Sequence, residues 1–453
     1  MSLPTIDGLP EELKIIVTSF LDDDPFAPGR SKRLLAQFKK NEPVTPLKAL
    51  SCVSRDWRRR VKPLLFSRLQ LRVQFPPEVT NGAIHSELFW RFEDWAERKR
   101  INPHPISFSP ILTRWMSVVC VSLAQFLCFV VKQRLSGKLR SLIVSTEEDA
   151  GLESAMDRYS QEEQTEYPTQ GSELFWQFIY KIVDPRQITV IGPPTALAFF
   201  FDVYVNLEDA WVFPEMSLQA VAFTGLRPCN EISRRLGQFP TISELEGDLG
   251  FKELWRWNQI EVTDGSFLNA YASYEYFHKT PPSLFGPIFL LTSLRRSSVS
   301  YYTVFPFHSY IGTIRRELWE FTHDFNLSLA PDPSDRILDD PSRVGRADLV
   351  DCWREIEQIY LHLTHPDFGL FDWSVSNLRS FSSADVGIAS IRDILEEAFA
   401  RPEMVEWKKI KEGHWRLSDK ARKELKEAKN MILQQQREDF KNVFQHMMAR
   451  VQT

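Results

Sequence analysis

The chain has few cysteines, no long apolar run, no excess of basic charge and none of the short motifs that mark common active sites. Its five cysteines, Cys52, Cys120, Cys128, Cys229 and Cys352, are odd in number, widely spaced and mostly set among apolar neighbours. A disulfide framework does not fit that pattern, so free, buried thiols in a reducing compartment, cytoplasm or nucleus, are expected. No two cysteines have metal-site spacing. The most apolar window, residues 116–131, is interrupted by Ser117, Ser122 and Gln125 and falls short of the roughly 20 residues that span a bilayer. A buried helix is expected there, and no membrane partner. Pro4, Asp7 and Glu11 stand where a signal peptide needs basic and then apolar residues, so secretion is not expected either.

The net charge of -5 over 453 residues argues against a dedicated nucleic-acid binder. The charge is uneven: residues 401–453 hold 13 Lys/Arg and 8 Asp/Glu, a surplus of 5, which leaves the remainder at -10. A hydrophobic share of 43% and a charged share of 25% are ordinary for a globular chain of two or three domains.

Catalytic chemistry leaves no mark. There is no Gly-x-Ser-x-Gly elbow, no Gly-x-x-x-x-Gly-Lys phosphate loop and no Gly-x-Gly-x-x-Gly dinucleotide turn. No catalytic residue and no cofactor is assigned, and the chain is not expected to be an enzyme. His362-x-x-His365-x-Asp367 puts two imidazoles three residues apart, but Pro366 ends a helix there and no further ligand is evident. Caps and surface hydrogen bonds are the expectation, and no metal. Asp22-Asp23-Asp24 would sit at a helix C-terminus, where the dipole disfavours carboxylates, so it reads as a solvated loop.

What is present is a run of alternating helical and strand-like phrases. Leu69, Leu71, Val73 and Phe75 alternate with polar residues and predict a strand ended by Pro76-Pro77. A helix is predicted over 88–100. Further strand phrases start at residues 139, 188, 218, 242 and 257, several with the Leu-x-x-Leu-x-Leu form of a leucine-rich repeat. Their separations of 49, 30, 24 and 15 residues are too uneven for a regular array, whose period is about 20 to 29. Spacing leaves open a degenerate leucine-rich-like solenoid or an irregular α/β body. Residues 147–173 hold nine acidic residues against Arg158 and read as an acidic loop, and 331–348 read as a Pro-rich linker before a helix over 349–363. Clusters such as Tyr271, Tyr274, Tyr276 and Phe277, or Tyr301, Tyr302, Phe305 and Phe307, are either core or recognition surface. Residues 417–451 contain no Gly or Pro and predict a long helix capped by Ser418.

The chain's beginning is more specific. Pro10 suits a first helical position, Glu11 and Glu12 suit the first turn, and Leu13, Ile16, Val17, Phe20 and Leu21 form one apolar stripe. Leu50, Val53, Trp57, Val61 and Leu64 repeat that spacing, with Arg55, Arg58, Arg59, Arg60 and Lys62 mostly on the solvated side. By spacing alone, this is a helical hairpin.

Its wording says more: Leu9-Pro10-x-x-Leu13, Phe20-Leu21, Val53-Ser54-x-x-Trp57 and Leu64-Leu65-Phe66 resemble the F-box. Later phrases, among them 173–176, 182–190, 271–277 and 385–388, resemble those of fungal F-box proteins and have no assigned chemistry. The resemblance implies docking on the Skp-type adaptor, and through it on a cullin. Leu9, Pro10, Leu13, Ile16, Phe20, Leu21, Leu50, Val53, Ser54, Trp57 and Leu64 would form that site. One departure is a longer connection, residues 22–46.

The expected fold is mixed α/β: an F-box at 1–68 with that insert, a leucine-rich-repeat-like substrate-recognition body at 69–400 and a helical tail at 401–453. The implied function is substrate recognition for an SCF-type cullin–RING ubiquitin ligase, with a protein substrate that the sequence does not identify. The alternative is an F-box scaffold or interaction module with no role in ubiquitination.

Overall fold

A computed structural model of the chain describes residues 9–21, 46–73, 218–224, 257–267, 298–306, 322–331, 346–365, 378–404 and 406–421, most of 122–146 and 175–201, and scattered positions from 423 to 438. The architecture is mixed α/β. Among the described residues the first three helices are α1 (Glu11–Leu21), α2 (Pro46–Ser51) and α3 (Arg55–Leu65). Ten strands follow, interspersed with further helices: β1 (Arg68–Val73), β2 (Ser141–Thr146), β3 (Gln187–Gly192), α4 (Pro194–Phe201), β4 (Gln219–Thr224), β5 (Gln259–Ser266), β6 (Ser298–Val304), β7 (Asp324–Ser328), α5 (Arg346–Leu363), β8 (Ser380–Ser383), α6 (Ala389–Phe399), β9 (Trp407–Lys411) and β10 (His414–Leu417).

The strands form one sheet in the order β1-β2-β3-β4-β5-β6-β7-β8-β10-β9, so each of the first eight lies beside its sequence neighbour. Ladders β1–β2, β2–β3, β5–β6, β6–β7 and β7–β8 are parallel, whereas β4 runs antiparallel to both β3 and β5, and the β9–β10 hairpin closes the end antiparallel to β8. Bifurcated bonds hold the register below the strands. The Ser67 carbonyl accepts from Arg140 N–H and Ser141 N–H, the Arg140 carbonyl from Arg186 and Gln187, and the His323 carbonyl from Arg379 and Ser380.

Side chains alternate across a strand, and here the alternation sorts the two faces by polarity. One register row runs Leu69, Leu142, Ile188, Phe223, Ile260, Val299, Phe325, Phe381, Trp415. It belongs to a hydrophobic cluster that continues from Leu71 to Ala421 and takes in Trp176, Trp257, Tyr360 and Leu395. The neighbouring row is polar throughout: Arg68, Ser141, Gln187, Thr224, Gln259, Ser298, Asp324, Ser380, Arg416, Lys408. On β2 and β3 this second face is buried, as at Ser141, Gln187 and Thr189. From Gln259 onward it is largely half-buried or exposed.

Several expectations can be placed. The strand phrases starting at 69, 188 and 218 coincide with β1, β3 and β4, while those starting at 139 and 257 begin two residues early. The helix over 349–363 is α5, which starts at Arg346 and so takes the end of the linker read over 331–348. Within 122–132 the described residues are helical, with Leu123, Leu127 and Val130 buried. Tyr301, Tyr302 and Phe305 are buried core residues. Residues 402–417 hold a 3-10 turn and the β9–β10 hairpin, so the sheet extends past residue 400 and helix begins at Asp419. Ser418 Oγ accepts from Ala421 N–H at 3.1 Å, the expected cap. The helix over 88–100, the strand at 242, the acidic loop, Tyr271 to Phe277 and residues 22–45 lie outside the described residues. No helix among the described residues is long and apolar enough to cross a membrane.

Candidate functional site

The three N-terminal helices have a core of their own: Leu47, Leu50, Trp57 and Val61, with Leu9, Val17, Leu64 and Leu65 packed around it. Trp57 is fully enclosed. Ser54 starts α3 in extended conformation, and its Oγ accepts from Trp57 N–H at 3.3 Å, so the residue that caps the helix also fixes the tryptophan's first turn. Pro10 precedes α1, where its missing N–H costs nothing, and its carbonyl accepts from Lys14 N–H at 3.1 Å.

A polar clamp turns α1 about its axis. Lys14 is almost wholly buried, and its Nζ lies 3.5 Å from Asp56 Oδ2 on α3. Arg60 Nε donates to the same oxygen at 2.9 Å, and Arg60 also pairs with Glu11. The Arg60 guanidinium beside Asp56 holds its carboxyl below the usual value, with Lys14 adding to the effect. With Lys14 and Val17 directed at α3, the helical step of about 100° carries Leu13 and Ile16 away from it.

The consequence is an uncovered apolar surface. Leu13 is 46% exposed, Ile15 58%, Ile16 59%, and Val53, in the turn between α2 and α3, 53%. The pairing of apolar stripes that the spacing predicts therefore forms only in part. Leu50, Trp57 and, less completely, Leu9 and Leu64 lie beneath the surface; Leu13, Ile16 and Val53 lie on it; Pro10 is exposed at its edge; and Phe20 and Leu21 belong to the last turn of α1. Ile15 escaped the sequence reading because it falls off the i, i+3, i+4 stripe. The clamp escaped it because Glu11 and Arg60 are 49 residues apart.

Elsewhere, the buried ionisable groups serve as structural ties. Asp385 accepts from Leu329 N–H at 2.7 Å, Ala330 N–H at 3.3 Å, Ser328 Oγ at 3.2 Å and Tyr360 Oη at 2.7 Å, which pins α5 and the end of β7 to the turn after β8. Burial pushes this carboxyl up, and the four donors oppose that rise. His362 Nδ1 lies 3.0 Å from the Gln358 carbonyl, a local helix contact. Among the described residues there is no cluster of three groups fit to hold a metal.

Comparison of the chain with protein-family models, with curated proteins and with solved structures returns no match.

Proposed function

We propose that the chain is a substrate-recognition subunit of an SCF-type cullin–RING ubiquitin ligase, with the α1–α3 module as the F-box that docks on the Skp-type adaptor. The observation that carries this reading is the uncovered set Leu13, Ile16 and Val53 on a module whose own core is complete beneath it. Such side chains are costly in water, at about 25 cal/mol per Å² left uncovered, and on a folded module they mark a docking surface. Leu13 and Val53 fall within the Leu-Pro-x-x-Leu and Val-Ser-x-x-Trp phrases that resemble the F-box, and Ile16 lies three residues after the first. Strands that pair with their sequence neighbours, in parallel in five of nine ladders, support the leucine-rich-like reading of the rest, and the reversed β4 and the antiparallel β9–β10 end depart from it. By holding a substrate near the ligase's transfer machinery, such a subunit raises the effective concentration of the acceptor lysine.

Co-purification with the adaptor is the direct test. Leu13→Asp with Ile16→Asp, both on exposed positions, should abolish capture while the melting profile stays unchanged; undiminished capture would remove the site assignment. Recovery of the adaptor without any cullin would favour the scaffold alternative.

A further inference from the structure

The outer face of α3 carries charge that no carboxylate among the described residues pairs with. Arg55, Arg58, Arg59 and Lys62 stand at i, i+3, i+4 and i+7, which gathers them within about 100° of the helix surface, opposite the buried Trp57 and Val61. All four are exposed. The carboxylates of the module are committed elsewhere, Asp56 to Lys14 and Arg60 and Glu11 to Arg60, which leaves Glu12, exposed on α1. The outer cations find only neutral contacts: Arg58 Nε donates to the Ser51 carbonyl at 3.1 Å, and Lys62 Nζ lies 5.9 Å from the centre of the Phe66 ring.

This arrangement works against the helix that carries it. Arg55–Arg59 and Arg58–Lys62 are like charges one turn apart, and Arg55 and Arg58 lie in the first turn after Ser54, at the positive end of the helix dipole. Both placements destabilise α3 with no compensating contact inside the chain, which marks a face that is balanced from outside it. The elements that abut the module add to the same field. Phe66 packs on Phe129 at 6.1 Å, the Ser67 carbonyl accepts from Arg140 N–H at 2.7 Å, and residues 132–140 hold Lys132, Arg134, Lys138 and Arg140, all exposed, and no carboxylate. At its other end the stripe reaches the apolar patch: Arg55 is two residues from the exposed Val53, and the bond to Ser51 ties Arg58 to the end of α2, where the turn carrying Val53 begins.

We propose that the protein docking on the α1–α3 module presents carboxylates to Arg55, Arg58 and Arg59, so that the cationic face draws it in and orients it while Leu13, Ile16 and Val53 hold it. That this protein is the Skp-type adaptor rests on the ubiquitin-ligase reading of the module. Its chemistry, an acidic rim around an apolar centre, follows from the two adjoining surfaces. Carboxylates over α3 relieve the Arg55–Arg59 and Arg58–Lys62 repulsions, and the planar arginine fork suits them. A second copy of this chain would bring the same cations to the contact. A nucleic acid would meet the cations but leave Leu13, Ile16 and Val53 in water, so an acidic protein is the occupant that satisfies both surfaces.

The test follows association and dissociation of the purified Skp-type adaptor on the immobilised full chain, from about 50 to about 500 mM sodium chloride. For the wild-type chain the association rate should fall about tenfold over that range, with dissociation little changed. Arg55→Gln with Arg59→Gln should slow association about tenfold at the low-salt end and flatten its salt dependence, and Arg55→Lys with Arg59→Lys should keep both at wild-type values. The glutamine variant should melt no lower than the wild type, because it removes a repulsion and an unfavourable dipole contact, an outcome that separates steering from a structural role. Lys420→Gln with Lys423→Gln, at positions paired with Glu424 and Glu427, should leave the rates unchanged. Equal rates and salt slopes in the wild type and the glutamine variant overturn the proposal while adaptor capture stands; no capture by the wild-type chain overturns both readings. A lowered melting point in the glutamine variant makes the arginines structural and overturns the proposal, as does an equal loss in the Lys420/Lys423 control or tighter binding of a labelled oligothymidine than of the adaptor.

Discussion

Asp385 is buried, and two backbone N–H groups and two hydroxyls converge on it in place of an ion pair among the described residues. Asp385→Ala takes the acceptor from Leu329 N–H and Ala330 N–H in a buried site and leaves the Tyr360 hydroxyl only Ser383 Oγ, and should cost about 3 kcal/mol in urea unfolding. Tyr360→Phe removes one donor and should cost about 1 kcal/mol. The cysteines offer a second reading of burial. Cys52 is exposed, whereas Cys352 is enclosed in α5 and burial pushes its thiol up to about 12. Alkylation of the native chain at pH 8, mapped by mass spectrometry, should therefore mark Cys52 and spare Cys352, which should react only after denaturation. No sequence pattern marks this difference, because both thiols lie in helical apolar phrases and only packing separates them.

Among the elements, α1 is the instructive case. Its periodicity located the helix, but the face it buries is set by Lys14, Val17 and the clamp to α3, which period alone cannot reveal. Trp57→Ala should destabilise the module by about 3–5 kcal/mol, whereas Leu13→Ala should change stability by less than about 0.5 kcal/mol. The clamp also has a predicted pH sense. Asp56 titrates below its ordinary value of 3.8, so its contribution is complete above that value and is lost as pH falls through the lowered one. Hydrogen-exchange protection of α1, corrected for intrinsic rates, should stay level from neutral pH to the ordinary carboxylate value and drop below it; Asp56→Ala should show the low protection at every pH. The strands β6, β7 and β8 went unread for a different reason. Asp-Phe-Asn-Leu-Ser and Ser-Phe-Ser-Ser alternate but offer only two and one apolar side chains, too few for a strand signal without neighbours to pair with, while in Ser-Val-Ser-Tyr-Tyr-Thr-Val the adjacent Tyr301 and Tyr302 break the plain apolar–polar alternation. The β9–β10 hairpin was hidden in a basic stretch that composition assigns to a helical tail. Its turn depends on Gly413, at φ +68°, where an added Cβ would press within 2.4 Å of the Ser383 carbonyl.

At the scale of the molecule, the described residues form a hydrophobic cluster in the N-terminal module apart from that of the sheet, which predicts two units of stability. The N-terminal module is centred on Trp57, and the sheet's cluster extends from Leu71 to Ala421 without a break. A chain shortened to residues 67–453 should retain its near-ultraviolet circular dichroism and melt within a few degrees of the full chain, while losing adaptor capture. Loss of cooperative melting in that truncation would show the module to be part of the body's fold. The sequence conveyed the mixed α/β class and the alternation of helices and strands. It did not convey that the strands merge into one sheet, since pairing between strands whose starts lie 26 to 73 residues apart, from β1 to β8, is decided by register and packing rather than by local pattern.

The reversal of β4 has a consequence for how this chain can be cut. Because β4 starts beside the end of β3 and finishes beside the start of β5, the last residue of β4 and the first of β5 lie at the same end of the strands. Cleavage between residues 225 and 256 gives two fragments that, among the described residues, meet through the β4–β5 ladder and the core behind it. Co-expressed, they should reassemble without a linker, which makes this chain a natural split pair whose reassociation reports on the integrity of its own sheet.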